Sequence, residues 1–418
     1  MKTVIAIPDV AGLASEQQAT EMLMRPVAGV PLLVRTVLTA ARAGASEVLL
    51  VVPPALSYRF LQQFLATISQ RGVRIEVIQI GGFEPQGYSS WIILKRHLQD
   101  KFLWLPWNFV TTKNLLSQLA PGDMGPVDWS NAACITLHEV DRDSASSALP
   151  PRTTGGVAVT SPESAAAAEK FLVANSGKLL DGIHTSFNRW LCRPFVRFLS
   201  HTSVTPNTVT FGGVVVSILS ALAFAHGTYL WSVLGALLFY IAGLFDEMDG
   251  MLARIKFAES PMGTWLEGMA DGLSYLLLFA GIMIGLRRQY GRIAVLMGIA
   301  LLIGSILALI ATSLQRRRAT TPNRPNEYLG RFYQLLEKDS GNWISRVVRQ
   351  VQAFQRRGIL IHYIVIFTVI GALPLVFLLA TLGAHLTWIL TLYFNRRFFP
   401  SLASSDVRSS GSKLKEAL

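Results

Sequence analysis

The chain of 418 residues is 51% hydrophobic and only 15% charged, with a mean hydropathy of +0.40, which excludes an ordinary soluble protein. Its formal charge of +12 suits anionic lipid headgroups or phosphorylated substrates, and we expect no nucleic-acid partner. Two cysteines, Cys134 and Cys192, are too few for a disulfide framework or a cysteine metal site. The apolar run before Pro8 is too short for a secretory signal peptide.

Short β-rich runs alternate with helical patterns in the first third of the chain. The predicted strands are residues 3–7, 47–52, 74–78, 102–105 and 134–138. Residues 32–43 have a helical pattern, and such alternation predicts a three-layer α/β domain with a mainly parallel sheet. The Ser-, Pro- and Gly-rich stretch 141–156 is expected to be a loop. A strand at 156–160 and a helix at 162–174 then complete a domain of residues 1–175.

Apolar runs of the length that crosses a bilayer begin after residue 175. Six crossings are predicted, at residues 208–227, 229–245, 265–286, 293–314, 359–381 and 384–394. They form an all-α polytopic membrane domain at 208–400, followed by a polar tail at 401–418, and Pro374 is expected to kink the fifth crossing. The juxtamembrane stretch 176–207 includes an amphipathic helix at 187–200, which we expect along the inner membrane face.

The loop at residues 315–358 is rich in arginine, which places it on the cytoplasmic side of an inner membrane. Six crossings then place both termini in the cytoplasm. Arg287, Arg288 and Arg292 would lie outside and weigh against this topology. The basic loop could bind an acceptor phosphate, although anionic lipid is the favoured partner.

Four carboxylates interrupt or border two of the apolar segments. Asp246 and Asp249 share one helical face at i and i+3, and Glu267 and Asp271 share another at i and i+4. Such groups are found near a membrane mainly where they pair, bind ions or line an aqueous cavity. If the two helices are antiparallel neighbours, the carboxylates converge and need cations between them. Oxygen ligands favour Mg²⁺, Mn²⁺ or Ca²⁺ over zinc.

This spacing resembles the signature of the CDP-alcohol phosphotransferase family, D-x-x-D-G-x-x-A-R, eight residues, G-x-x-x-D-x-x-x-D. The matching residues are Asp246, Asp249, Gly250, Ala253, Arg254, Gly263, Glu267 and Asp271, with Glu267 in place of an aspartate. The resemblance extends upstream through residues 178–210, which include the T-P-N-x-V-T start of the first crossing.

The resemblance implies transfer of a phosphoalcohol group from a CDP-alcohol to an acceptor hydroxyl, with release of CMP. Asp246, Asp249 and Glu267 would hold a pair of Mg²⁺ or Mn²⁺ ions, and Asp271 would be the general base and a further metal ligand. The residues that would bind the CDP-alcohol are Asp249, Gly250, Ala253, Arg254 and Gly263. A lipid or an inositol phosphate would be the acceptor, and a homodimer is expected.

Residues 25–52, which begin RPVAGVPLLVRT, resemble the sugar-phosphate nucleotidyltransferase fold. Together with the membrane signature they are similar to bifunctional inositol-phosphate cytidylyltransferase/di-inositol phosphate phosphate synthases. The family's glycine-rich phosphate loop is replaced here by a stretch with Pro8 and Gly12, and its metal-binding aspartate by Pro106, Trp107 and Asn108. The sequence therefore predicts a domain that no longer transfers nucleotides.

Two other functions are compatible with the sequence. A non-catalytic scaffold would use the carboxylates only to bind ions, and the degenerate N-terminal domain to recruit a partner. A transporter is disfavoured, because the acids cluster at one edge of the membrane rather than across its midplane.

Overall fold

The computed structural model describes residues 1–7, 16–54, 56–69, 71–119, 128–137, 154–177, 183–319, 327–339, 341–351 and 357–398. The loop with Pro8 and Gly12, most of the loop predicted at 141–156, and the tail at 401–418 lie outside these ranges. Internal contacts divide the chain into two units. The first unit is Met1–Thr208 with Glu247–Gly263, and the second is Val209–Asp246 with Thr264–Leu418.

The N-terminal part of the first unit is an α/β fold. Its strands are β1 Lys2–Ala6, β2 Pro26–Val27, β3 Val30–Pro31, β4 Glu47–Val52, β5 Ile75–Gln79, β6 Lys101–Trp104, β7 Phe109–Val110, β8 Ala133–Thr136 and β9 Val157–Ala158. Its helices are α1 Glu16–Leu23, α2 Leu32–Arg42, α3 Tyr58–Ser69, α4 Tyr88–Leu94, α5 Lys113–Ser117, α6 Pro162–Ala174 and α7 Ile183–Ser200.

The main sheet has the strand order β5-β4-β1-β6-β8. Strands β5, β4, β1 and β6 pair in parallel, and β8 adds to the edge in antiparallel. Leu50 and Ile5 pack with Phe64 of α3 on one face, whereas Leu49 packs with Trp91 of α4 on the other. A sheet covered on both faces explains the continuous apolar strands. The predicted α/β layering with a mainly parallel sheet is confirmed.

Helix α6 ties the α/β fold to α7 through one buried carboxylate. Ser161 caps the start of α6 in a capping box, with Pro162 at the first helical position. Glu169, on this helix, accepts a hydrogen bond from the backbone N–H of Ala28 at 2.9 Å. It also lies 3.2 Å from Nε2 of His201 and 3.5 Å from Nε of Arg197. The turn of the β2–β3 hairpin, α6 and the end of α7 therefore share one polar contact.

The described residues from Pro206 onwards are mostly helical. The helices are α8 Pro206–His226, α9 Tyr229–Ile255, α10 Pro261–Tyr290, α11 Arg292–Ala319, α12 Glu327–Lys338, α13 Trp343–Val351, α14 Arg357–Val369 and α15 Leu373–Phe398. Within the described residues, α8, α9, α10, α15 and the Arg292–Gln315 part of α11 are long and apolar enough to cross a membrane. Many of their large apolar side chains are exposed, as lipid contact requires. The chain is a multi-pass integral membrane protein.

The predicted fifth and sixth crossings differ from the structure. Helix α14 ends at Val369, and the N–H groups of Gly371 and Ala372 bond back to Thr368 and Phe367 at 3.0 and 2.7 Å. Gly371 has a φ of 78°, the left-handed conformation that closes a helix. Pro374 therefore lies in the first turn of α15 and does not kink a span.

The prediction of one crossing at 359–381 is consequently wrong. The apolar part of α14, Leu360–Val369, is about 15 Å long at 1.5 Å per residue. This is about half of the hydrocarbon thickness. The long helix α15 begins at Leu373, eleven residues before the predicted start of the sixth crossing.

Candidate active site

The eight signature residues lie on two consecutive helices. Asp246 and Asp249 are near the end of α9, with Gly250, Ala253 and Arg254 following them. Gly263, Glu267 and Asp271 are in the first three turns of α10. Both stretches are continuously helical, so each carboxylate pair shares a helix face as predicted. Asp249 is buried, and the other three carboxylates are half-buried. The convergence of the two pairs stays a prediction.

Helix α9 ends in a closing motif that uses an aromatic residue where glycine is usual. The N–H of Ala258 bonds to the carbonyl of Ala253 at 2.8 Å, and that of Phe257 to Arg254 at 3.4 Å, as in a Schellman motif. Phe257 has a φ of 54°, a conformation that costs a non-glycine residue about 1–2 kcal/mol. Its ring lies 5.3 Å from the guanidinium carbon of Arg35, a cation–π contact that offsets part of this strain.

Side chains of the segment after Asp249 bind other parts of the first unit. Nε of Arg254 donates to the carbonyl of Ser176, and Nζ of Lys256 donates to the carbonyls of Thr202 and Val204 at 2.7 and 2.9 Å. Burial lowers the pKa of Lys256 from its usual value, and the two carbonyls compensate the ammonium for lost water. The end of α9 is thereby held in the first unit.

Two polar residues cap the N-termini of α8 and α10. Thr205 caps α8, because its Oγ1 accepts from the N–H of Thr208 at 3.3 Å. Ser260 caps α10 in the same way, accepting from the N–H of Gly263 at 2.9 Å. A Cβ at Gly263 would lie 3.1 Å from the Ser260 hydroxyl and 3.7 Å from Oδ1 of Asn207. A side chain at position 263 would crowd the Ser260 hydroxyl that caps the helix. This explains structurally why the signature has a glycine there.

One ion pair on α9 could not be predicted from the sequence pattern. Glu247 lies between the two aspartates, and its Oε2 accepts from Nε of Arg189 on α7 at 3.1 Å. Their side chains are only 19% and 10% exposed, so the pair is largely shielded from water. Burial raises the pKa of the neighbouring Cys192 to about 12, and Glu247 acts in the same direction. This thiol is therefore not a nucleophile at neutral pH. The pair joins residues 58 positions apart, which local patterns do not reveal.

The variant Glu247→Gln keeps the side-chain size, Arg189→Gln shortens the side chain, and each removes one charge. We expect each to lower the free energy of unfolding by roughly 1.5–3 kcal/mol, the range for hydrogen bonds to charged groups. The double variant should lose less free energy of unfolding than the two single variants together, because removing the second charge no longer leaves a buried charge without its partner. Chemical unfolding in detergent measures the cycle, with Arg193→Gln, exposed on the same helix, as the control. Additive losses would show that the contact stabilises nothing.

The carboxylates fit a divalent cation by their chemistry, since carboxylate oxygens are the donors that Mg²⁺ and Mn²⁺ prefer. In the described ranges, however, no three His, Cys, Asp or Glu side chains are gathered as a ready metal site. Helix α10 leaves open space next to its two carboxylates, because a Cβ at Gly268 or Gly272 would meet no atom within 4 Å. Metal binding is therefore a proposal that rests on donor type and spacing.

The position expected to carry the metal-binding aspartate of a nucleotidyltransferase has a structural use in this chain. The side-chain amide of Asn108 donates to the carbonyl of Val159 at 3.3 Å, and the carbonyl of Trp107 accepts from Thr36 Oγ1 at 2.9 Å. Both contacts hold the region of β7 against neighbouring elements. Trp107 and Asn108 therefore contribute packing contacts, and the loss of nucleotide transfer stays a prediction.

Residues 203–393 match the family model described as CDP-alcohol phosphatidyltransferase. The matched stretch contains all eight signature positions and the T-P-N-x-V-T start of α8. It covers somewhat less than half of the 418 residues and does not include the α/β fold. For this part of the chain, the match supports the family resemblance predicted from the spacing of the acids.

Two curated proteins are similar to shorter parts of the chain. A ceramide phosphoethanolamine synthase of Drosophila melanogaster is 33% identical over 101 residues, which are 22% of this chain and 26% of that protein. A phosphatidylinositol phosphate synthase of Mycobacteroides abscessus is 29% identical over 93 residues, 22% of this chain and 41% of that protein. The chain thus spans less than half the length of either relative.

Proposed function

We propose that the chain is a membrane CDP-alcohol phosphotransferase, which transfers a phosphoalcohol group from a CDP-alcohol to an acceptor hydroxyl and releases CMP. The observation that carries this proposal is the complete spacing of the signature on α9 and α10, within the stretch that matches the family. The names of both relatives, a ceramide phosphoethanolamine synthase and a phosphatidylinositol phosphate synthase, support a synthase that works on head groups joined through phosphate.

Asp271 is the proposed general base. Its carboxylate takes the proton from the acceptor hydroxyl, and the acceptor oxygen forms a bond to the phosphorus that carries the alcohol. The bond from this phosphorus to the bridging oxygen breaks, and CMP leaves with the electron pair. A carboxylate fits this role because it accepts the proton as the oxygen becomes nucleophilic. The position of Asp271 one turn after Glu267 keeps the base next to the ion-binding group.

Asp246, Asp249 and Glu267 would hold Mg²⁺ or Mn²⁺, with Asp271 as a further ligand. When bound, such ions neutralise the charge that builds up on the departing CMP. Glu267 offers the same donor atoms as an aspartate on a longer arm, so its exchange alters the reach of the ligand more than the chemistry. This part of the proposal requires the two carboxylate pairs to face each other.

The small residues of the signature give the nucleotide access to the helix backbone. Gly250 and Ala253 follow Asp249 on its helix, and Gly263 lies in the first turn of α10. Arg254 is the proposed phosphate ligand, and its Nη1 lies 3.3 Å from where a Cβ at Gly250 would be. A guanidinium recognises phosphate oxygens through several hydrogen bonds at once.

We also propose on which side of the membrane the active site lies and that the protein is a dimer. The α/β fold and the carboxylates lie on the cytoplasmic side of the membrane, following the arginine-rich stretch at 315–358. The protein works as a homodimer. The N-terminal α/β fold braces the enzyme or positions a ligand, and does not activate nucleotides itself.

The test is an assay of the purified protein in detergent with CDP-diacylglycerol and CDP-inositol as donors. Each donor is combined with serine, glycerol 3-phosphate, inositol 1-phosphate or a ceramide, with Mg²⁺, with Mn²⁺ or with EDTA. We expect CMP and one new phosphodiester, identified by mass spectrometry, only where a divalent cation is present. Intact donors with all acceptors and both metals would contradict the proposal and favour a scaffold.

A further inference from the structure

A cavity of about 60 Å³ lies within the first unit, beside the end of α9. It is lined by one face of α2, the residues around the start of α5, the end of α6, and the end of α9 with the connection that follows it. At about 10–15 Å³ of such space per water molecule, it holds roughly four to six waters. A tetrahedral oxyanion with five heavy atoms is of the same size.

The wall of this cavity is strongly basic. Among the described residues, four cationic side chains line it, those of Arg35, Arg42, Lys113 and Arg254, against the single carboxylate of Glu259. Thr39, Asn114 and Asn175 add neutral polar groups. Cations at such density repel one another, which an anion between them relieves. The charge therefore selects an anionic ligand.

Arg35 makes the cavity a built site and not only a basic surface. It is only 1% exposed, and its Nε and Nη2 donate to the carbonyl of Val27 at 3.1 and 2.8 Å. Burial lowers the pKa of Arg35 to about 9, against the opposing effect of Glu169, so the guanidinium stays charged at neutral pH. Its Nη2 also lies 3.4 Å from the carbonyl oxygen of Ala28. A buried, fixed and charged donor at a cavity wall is a typical anion ligand.

Glu259 shows where an anion would bind. Its Oε2 lies 3.0 Å from Nη1 of Arg42, and Nζ of Lys113 lies 3.3 Å from Oε1 and 3.4 Å from Oε2. One carboxylate thus bridges two cations from different elements, as two phosphate oxygens would. The Glu259 side chain is 31% exposed and belongs to the connection between α9 and α10, so it can turn outwards when another anion takes its place.

We propose that this cavity binds the phosphate group of a small molecule, with Arg35, Arg42 and Lys113 as its ligands and Glu259 as the internal anion it displaces. Two sources share this chemistry, inorganic phosphate and a phosphate monoester such as a polyol phosphate. The site adjoins the signature helix, since Arg254 lines the cavity and also covers Gly250. An anion bound in the cavity would therefore contact the end of α9, close to Asp249.

The test measures binding to the full chain in detergent, without CDP-alcohol or divalent metal. Isothermal titration with inorganic phosphate, and separately with glycerol 3-phosphate, is compared with glycerol and with added chloride at equal ionic strength. We expect one saturable site for phosphate and none for glycerol. A tighter site for glycerol 3-phosphate would identify a monoester as the ligand, and equal affinities would identify the inorganic ion. No saturable binding of either probe would overturn the proposal.

Variants of the two exposed cations and of the acid should act in opposite directions. Removing one charged ligand, in Arg42→Gln or Lys113→Gln, should weaken binding at least about tenfold. Glu259→Gln removes the competing carboxylate and should tighten binding several-fold. Arg74→Gln, an exposed residue of the same fold that does not line the cavity, should bind as the unaltered chain does.

Unchanged affinity in all three cavity variants would overturn the assignment. Lys113→Met serves as the second variant if Arg42→Gln fails to fold, because the Lys113 side chain is 40% exposed and its loss is tolerated more easily. Asp271→Asn should bind phosphate normally while losing turnover. The cavity proposal and the proposed function can therefore fail separately.

Discussion

Replacing Asp271 with asparagine is expected to lower the rate of CMP release by about 10²–10⁴-fold, the usual contribution of a general base. The amide has nearly the same shape, stays on the same turn of α10, and cannot take the proton from the acceptor hydroxyl. Because binding groups remain, we expect a loss in kcat with little change in KM for the CDP-alcohol. Steady-state CMP release in detergent, at saturating donor, measures the effect.

Asp249→Asn separates the ion-binding role from the base. Asp249 is buried on α9, and an amide there is a weaker ligand for a divalent cation. Raising the Mg²⁺ or Mn²⁺ concentration should restore part of the turnover lost in Asp249→Asn. Most of the turnover lost in Asp271→Asn should remain lost, because added metal improves ion binding but does not replace the proton acceptor. Asp100→Asn, an exposed aspartate of the α/β fold, is the matched control. Normal turnover in both signature variants would show that the chemistry lies elsewhere.

The local parts of the fold were predictable because the signals are local. The strand predicted at 47–52 is observed as Glu47–Val52, an apolar run closed by Pro53. The helix predicted at 162–174 is observed as Pro162–Ala174, since Ser161 and Pro162 together specify a helix start. The fixed spacing of the acids likewise placed both carboxylate pairs on helices.

The features that the sequence predicted wrongly or did not reveal also have physical causes. Hydropathy is continuous through residues 359–381, so the averages do not detect the left-handed turn at Gly371 that ends α14. The contacts at the signature are distant in the chain. Glu247 pairs with Arg189, and Glu259 pairs with Arg42, 217 residues away. Only the folded chain brings such charges together, so the cavity has no sequence signal of its own.

The second large effect concerns two glycines on α10, Gly281 and Gly285, which lie one turn apart. A Cβ at Gly281 would overlap the backbone oxygen of Ala221 on α8, with the Cα of Ala221 at 2.8 Å, and a Cβ at Gly285 would overlap that of Phe224. Small residues at i and i+4 are the usual means of close helix contact in membranes. Backbone atoms cannot turn aside as a side chain can, so the helices themselves would have to separate.

We therefore expect Gly281→Ala and Gly285→Ala each to cost about 1–3 kcal/mol of stability, the range for overpacked sites, seen as a fall of several degrees in the unfolding temperature in detergent. The matched control is Gly383→Ala on α15, where a Cβ would meet no atom within 4 Å. Alanine forms helices better than glycine, so this variant should lose no stability.

The direct hydrogen bond between Ser217 of α8 and Ser274 of α10, at 2.9 Å, should weaken when either glycine is replaced. Because α10 also carries Asp271, CMP release should fall along with the unfolding temperature. Equal melting of all three variants would show that α8 and α10 do not depend on this close approach.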